Sequence, residues 1–232
     1  MINKATYYLT PNAASTAFTG TGYTPDGTIP EGAIPCTQEQ AQSFQAYVPS
    51  NGEIVDAPNS VLLAQAQSAQ KTIIRNAYNA ATDYVPATIN GTTYQVDNTA
   101  GKQALNLSLT ITTNAVMQAP AWAASTEYTA GAYCNVGGVI LFCSASGKSG
   151  TSAPTPPTTF GTPVTDGSAE WELMGRKVYL QGGSFVYMTP QEIMSAFQQG
   201  ELYLHQMSNQ LESLKAEINA ATTVSAVQTF TF

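Results

Sequence analysis

Residues 160–175, FGTPVTDGSAEWELMG, read as a short alternating strand, an Asp-Gly turn at Asp166–Gly167 and a second strand centred on Trp171. Upstream, residues 133–142, YCNVGGVILF, form a second aromatic strand pair around Gly137–Gly138. A two-residue glycine loop fixes the register, putting Tyr133 opposite Phe142 and Cys134 opposite Leu141. Cys134 and Cys143 then become diagonal neighbours on one face, a poorer bridging geometry than direct opposition. Between these pairs, residues 144–163 are a Gly/Ser/Thr/Pro-rich loop with no regular period. Both strand pairs lie between stretches of helical periodicity, so the sequence predicts an α+β chain: long helices with small hairpins, and a small all-β unit among them.

The clearest helix start is downstream. Thr189 has N-cap chemistry, Pro190 takes the first helical position and Glu192 completes a capping box. Ile193, Phe197, Gly200, Leu204, Met207, Leu211, Leu214 and Ile218 follow at alternating steps of four and three, a heptad seam. Such a seam serves either an intramolecular antiparallel helix pair or an interface with another subunit; the first is the commoner use. The partner helix predicted for the first case spans residues 59–84. There Leu63, Ala66, Gln70, Ile73, Ala77, Ala80 and Tyr84 recur without an intervening Gly or Pro, and Pro86 is the expected stop.

Residues 87–96 predict a hairpin turned by Asn90–Gly91, and residues 177–188 another around Gly182–Gly183. Residues 98–117 stay open. Leu105, Leu107, Leu109 and Ile111 alternate as in a strand, while Asn98 or Thr99 could cap a helix. Residues 1–58 are rich in turn formers and read as short strands and loops with one helix. That helix starts at Thr37, with Gln40 at capping-box spacing, and runs to Tyr47 ahead of a turn at Asn51–Gly52.

Charged residues make up 10% of the chain, against about 25% in a typical soluble domain. A neutral polar surface is easily buried against another protein, because few ions need desolvating. The composition thus favours an assembly component over a free enzyme. Net charge is −7, and the eight cations (Lys4, Lys71, Arg75, Lys102, Lys148, Arg176, Lys177, Lys215) form no basic stripe, so no nucleic-acid partner is expected. No apolar run nears the roughly 18 residues of a membrane span. The opening residues lack the apolar centre of a signal peptide, which predicts synthesis in the cytoplasm. Three cysteines, Cys36, Cys134 and Cys143, suggest small apolar residues and not a disulfide framework. Two thiols and the distant His205 are too few ligands for zinc, and no cofactor is expected.

No phosphate loop, zinc-protease motif or serine elbow is present, and His205 lies beside the heptad seam. Glu170 and Glu172 flank Trp171 and point away from it, about 7 Å apart by strand rise. Glycosidase acids sit about 5–9.5 Å apart, but solvated strand-face charges are the simpler reading, and the expectation is a protein without enzymatic activity. Trp122, Tyr128, Tyr133, Phe142 and Trp171 crowd one short segment. A unit this small needs aromatics for its own core; alternatively one or two lie exposed as a stacking platform for sugar. On the second reading the glycan contacts are Trp122, Tyr128, Tyr133 and Trp171.

Trp122, the YTAGAY of 128–133, the GGVILFCSASGKSG of 137–150 and the VTDGSAEWELMG of 164–175 together resemble small β-modules related to chitin- and cellulose-type carbohydrate-binding domains. Such modules are also common inserts in tail proteins of tailed bacteriophages. Phe142 stands where those modules often carry Tyr. Residues 29–55 are similar to a segment near the start of many phage tail-fibre assembly and tail-cluster proteins. Residues 75–112, rejoined with 178–230, resemble a phage tail-associated domain of unassigned function, ordered helix, hairpin, helix, small sheet and long C-terminal helix. That order implies a helix over 98–114 and makes the β-module an insertion at about 120–176, in a loop where added chain costs little.

The resemblance implies three parts: a strand-and-loop attachment region at 1–58, a discontinuous helical domain at 59–119 and 177–232, and the inserted module at 120–176. It implies a structural component of a bacteriophage virion, in the tail fibre or baseplate periphery, presenting the module to host-surface glycans for attachment. Its partners would be other phage tail proteins and further copies of itself, a trimer being favoured. Ile193, Phe197, Leu204, Met207, Leu211, Leu214 and Ile218 would form the oligomer or helix-packing seam. Two rivals stand beside it. One is a tail-fibre assembly chaperone absent from the mature virion; the other is a polysaccharide depolymerase, which needs a carboxylate pair in a groove.

Overall fold

The computed structural model describes residues 6–232, with the side chains of all but residues 101, 103–108, 110 and 111. Lys4 and the alternating side chains of Leu105, Leu107 and Ile111 therefore lie outside the described residues. The chain is mixed α+β. Its strands gather in six small sheets among the described residues and contribute nearly as much as the helices, so long helices do not dominate as expected. The chain divides into two compact units, Met1–Ile74 with Ser213–Phe232, and Arg75–Glu212.

In the first unit, β1 (Thr6–Pro11) is the centre of an antiparallel sheet between β2 (Phe18–Thr24) and β3 (Ile34–Cys36). The predicted capping box then forms: Gln40 N donates to Thr37 Oγ1 at 3.1 Å and Thr37 N to Gln40 Oε1 at 3.0 Å. The helix it starts, α1 (Gln38–Gln42), is shorter than expected. A 3₁₀ turn at Phe44–Ala46 follows, and the chain is already extended at Tyr47. Pro49 disfavours helical backbone at the residue before it, which draws this segment into a strand. That strand, β4 (Tyr47–Ser50), pairs with β5 (Glu53–Asp56) across Asn51 and Gly52, both at positive φ.

The long helix α2 (Asn59–Thr82) begins in the first unit. Its buried positions are Gln70, which the predicted stripe contained, and Ile74, whereas Ile73 is 57% exposed, a correction to that stripe. The orientation is fixed by glutamines. Gln67 Nε2 donates to the carbonyls of Ile218 (3.0 Å) and Ala221 (3.2 Å), and Gln70 Nε2 to that of Phe230 (2.6 Å). The face carrying residues 67, 70 and 74 therefore turns inward, leaving 73 outside.

In the second unit α2 ends at Thr82, before the predicted stop; Asn98 N donates to Asp83 O and Asn98 Nδ2 to Thr82 O. Pro86 lies inside β6 (Tyr84–Ile89), tolerated because its partner β7 (Thr92–Asp97) closes a sheet of only two strands. Asn90 and Gly91 make the predicted turn, both at positive φ. The open segment resolves as a helix, α3 (Ala100–Met117); Thr99 offers no side-chain cap, its hydroxyl donating to Asp97 Oδ1 at 2.7 Å.

Strands β8 (Glu127–Tyr128), β9 (Tyr133–Val136), β10 (Val139–Ala145), β11 (Gly147–Lys148), β12 (Val164–Asp166) and β13 (Ala169–Leu173) follow without an intervening helix. Four of them form one antiparallel sheet in the order β12-β13-β10-β9, and β8 pairs with β11. The glycine turn gives the expected register, Tyr133 opposite Phe142 and Cys134 opposite Leu141. Next, β14 (Arg176–Tyr179) and β15 (Phe185–Met188) form the second predicted hairpin.

Helix α4 (Pro190–Ala220) starts at the predicted box: Glu192 N donates to Thr189 Oγ1 at 3.3 Å and Thr189 N to Glu192 Oε2 at 2.8 Å. Short α5 (Val224–Val227) closes the chain. Of the seam, Ile193, Leu211 and Ile218 are buried and Leu204, Met207 and Leu214 half-buried. Phe197, on the same seam, is exposed, and so is Leu202 outside it. In the second unit Tyr203 Oη donates to Ala81 O at 3.0 Å, so α4 meets α2 there as it does at Gln67 in the first. Among the described residues, no helix is long and apolar enough to cross a membrane.

Candidate functional site

The all-β segment of the second unit is built around a carboxylate. Asp166, almost fully buried, accepts on Oδ2 from Trp122 Nε1 at 2.8 Å and from Trp171 Nε1 at 3.1 Å. Its Oδ1 accepts from Gly150 N at 2.7 Å. One side chain thus ties the first strand-free stretch, the proline-rich loop and the closing hairpin together. Trp171 sits between Cys134, Leu141, Cys143 and Ala169 in a core that Trp122, Tyr128 and Val164 cover. Tyr128 meets the Trp171 ring edge-on, centroids 4.7 Å apart, and its Oη accepts from Ala123 N at 2.9 Å. Cys134 and Cys143 are free thiols in the same core. Burial, with the Asp166 charge and Cys143 adding to it, pushes Cys134 up to about 12.

This arrangement corrects one predicted contact. Trp171 has 0% of its surface exposed and both its ring and its N–H are committed inside, so it offers no face to a sugar. Trp122 and Tyr128 are half-buried, each with its polar atom engaged in holding the segment together. Tyr133 is different. It lies against Phe142, centroids 5.8 Å apart, on the opposite face of the sheet.

On that face is a cleft of about 480 Å³, lined among others by Tyr133, Phe142, Phe160, Glu172, Arg176 and Tyr187. Strand alternation explains its make-up: Trp171 turns into the core, so Glu172, paired with Phe142, turns out of it. Phe160 and Tyr187 form a second aromatic pair, centroids 5.7 Å apart and 35° from parallel. Gly175 makes the Phe160 seat possible, because a Cβ there would fall 2.2 Å from Phe160 Cε1. Arg176 brings a guanidinium whose Nε is buried without a hydrogen-bond partner. Beside the cleft, Lys177 Nζ stands 4.4 Å from the Phe185 ring centroid and 5.9 Å from that of Tyr187.

The predicted site residues are thus divided, with Trp122, Tyr128 and Trp171 on the core side and Tyr133 on the cleft. The sequence reading missed Phe160, Arg176 and Tyr187. One signal was present: in FVYM, Phe185 and Tyr187 alternate with Val186 and Met188, and a hairpin can bury only one of two apolar faces. Val186 and Met188 pack inward, leaving Phe185 and Tyr187 exposed. Glu170 does not line the cleft, which takes only Glu172 from that pair. His205 is exposed on α4, within 3.1 Å of Asn209 Nδ2. Comparison of the chain with family models, with curated proteins and with solved structures found no match.

Proposed function

We propose that this chain is a structural, non-enzymatic component of a bacteriophage tail, in the fibre or baseplate periphery, that presents a glycan-binding β-module inserted into a discontinuous helical domain. The observation that carries the reading is that the second unit holds, beside a small core shared by α3 and the β-segment (Val116, Ile140 and Met174), two cores that do not mix segment and flanks. One, around Trp171, draws all its residues from 122–171. The other joins Ile89, Val96 and Leu109 to Val178, Met188 and Ile193, residues from both sides of that segment. A host domain that closes around its own flanks, with a guest carrying its own core, is the expected signature of an insertion. The motifs at 122–175 support a carbohydrate-binding guest, and the aromatic cleft supplies a surface on which sugar rings can stack.

The low charge content supports burial in an assembly, with the virion tail as its location. Phe197 and Leu202, exposed on different faces of α4, offer apolar surface to further copies, for which a trimer remains the favoured state. The chaperone reading draws on residues 29–55 and their likeness to tail-fibre assembly proteins. Competition separates the two: purified chain added to host cells should slow adsorption of the phage if it is an attachment component. No effect on adsorption at saturating concentrations would count against attachment.

A further inference from the structure

We propose that the cleft lined by Tyr133, Phe142, Phe160, Glu172, Arg176 and Tyr187 binds a carboxylate-bearing saccharide, with Arg176 receiving the carboxylate. The proposal rests on the glycan-presenting reading and names the ligand class of that site. Trp171 is fully buried and Trp122 is half-buried over the same core, so neither is a fully open stacking surface. In the cleft a stacking surface comes from two aromatic pairs, of which Tyr187 is 43% exposed. A sugar's C–H face packs on such rings.

The charges at the cleft favour an anion. Arg176 Nε is buried and has no hydrogen-bond partner among the described residues. Glu172 lines the same cleft without forming an ion pair with it among the described residues. With Nε buried and unbonded, the guanidinium's planar fork can take a carboxylate through its remaining N–H groups. Lys177 over the Phe185 and Tyr187 rings adds a second cation at the rim. In a chain of net charge −7, this pairing makes the cleft a local exception. Glu172 is then an acceptor for ring hydroxyls. The volume, about 480 Å³, falls within the roughly 300–1,000 Å³ of small-molecule sites.

The test is calorimetric titration of the full chain with trigalacturonate, sialyllactose and a hyaluronan tetrasaccharide, beside carboxyl-reduced trigalacturonate and chitotriose. At least one acidic probe should bind, and its carboxyl-reduced or neutral counterpart should bind about tenfold more weakly. Arg176→Gln should abolish that preference, Arg176→Lys should restore part of it, and Tyr187→Ala, at an exposed position, should weaken binding without lowering Tm. Added salt should reduce the acidic preference. Neutral probes binding as well as acidic ones, with Arg176→Gln and Tyr187→Ala silent, would overturn the cleft assignment and leave glycan binding standing. No binding by any probe to the folded chain would overturn the assignment and the glycan reading together.

Discussion

Asp166 is the residue on which the β-segment depends, and its role was hidden in the sequence. An Asp before a Gly reads as turn chemistry, and the turn does form there, with Gly167 at positive φ. What the one-dimensional pattern could not convey is that two indole N–H groups, 44 and 5 residues away, converge on the same carboxylate oxygen. Asp166→Ala leaves three N–H donors without an acceptor in a dry site. We expect a loss of about 2–5 kcal/mol of stability in the second unit, read from urea midpoints, and a smaller loss for Trp122→Phe. The thiols give a pH test. Cys134 ionises near 12 in the folded chain, above its ordinary value of 9.0. Below pH 9 both folded and unfolded thiols keep their protons; above it the unfolded thiol ionises first, so stability falls as pH rises towards 12. Cys134→Ala should flatten this slope, and at pH 8 alkylation of the native chain should reach half-buried Cys36 well before Cys134 or Cys143.

Elements were legible where a local rule decides them. The capping boxes at Thr37 and Thr189 and the glycine turns at 52, 91 and 138 act over a few residues, and each formed as expected. Thr189→Ala should cost about 1 kcal/mol, measured by thermal melts. Where tertiary contacts decide, the sequence reading slipped. Ile73 and Ile74 fit the helical period almost equally, and long-range hydrogen bonds from Gln67 and Gln70 chose Ile74. The cleft is also an element-level product: β13 turns directly into β14 through Gly175, bringing Phe160 against Tyr187. Gly175→Ala should push the Phe160 ring out of its seat and weaken saccharide binding several-fold while the chain stays folded, as judged by far-UV circular dichroism. Unchanged affinity would remove Phe160 from the site.

At the scale of the whole molecule, the sequence showed a β-unit flanked by helical segments but not what the flanks do with each other. Only the structure shows Ile89 and Val178 in one core, with the β-unit's own core elsewhere. Exposed Phe197 and Leu202 carry the oligomer prediction: light scattering should give a trimer mass, and Phe197→Glu with Leu202→Glu should reduce it to the monomer. A structural component of the tail travels with the particle. The measurement is quantitative mass spectrometry of purified virions against infected-cell lysate. Membership of the tail predicts the chain in particles, at a copy number that is a multiple of three or six. Its absence from particles, with abundance in the lysate, would contradict the structural reading and establish the chaperone in its place.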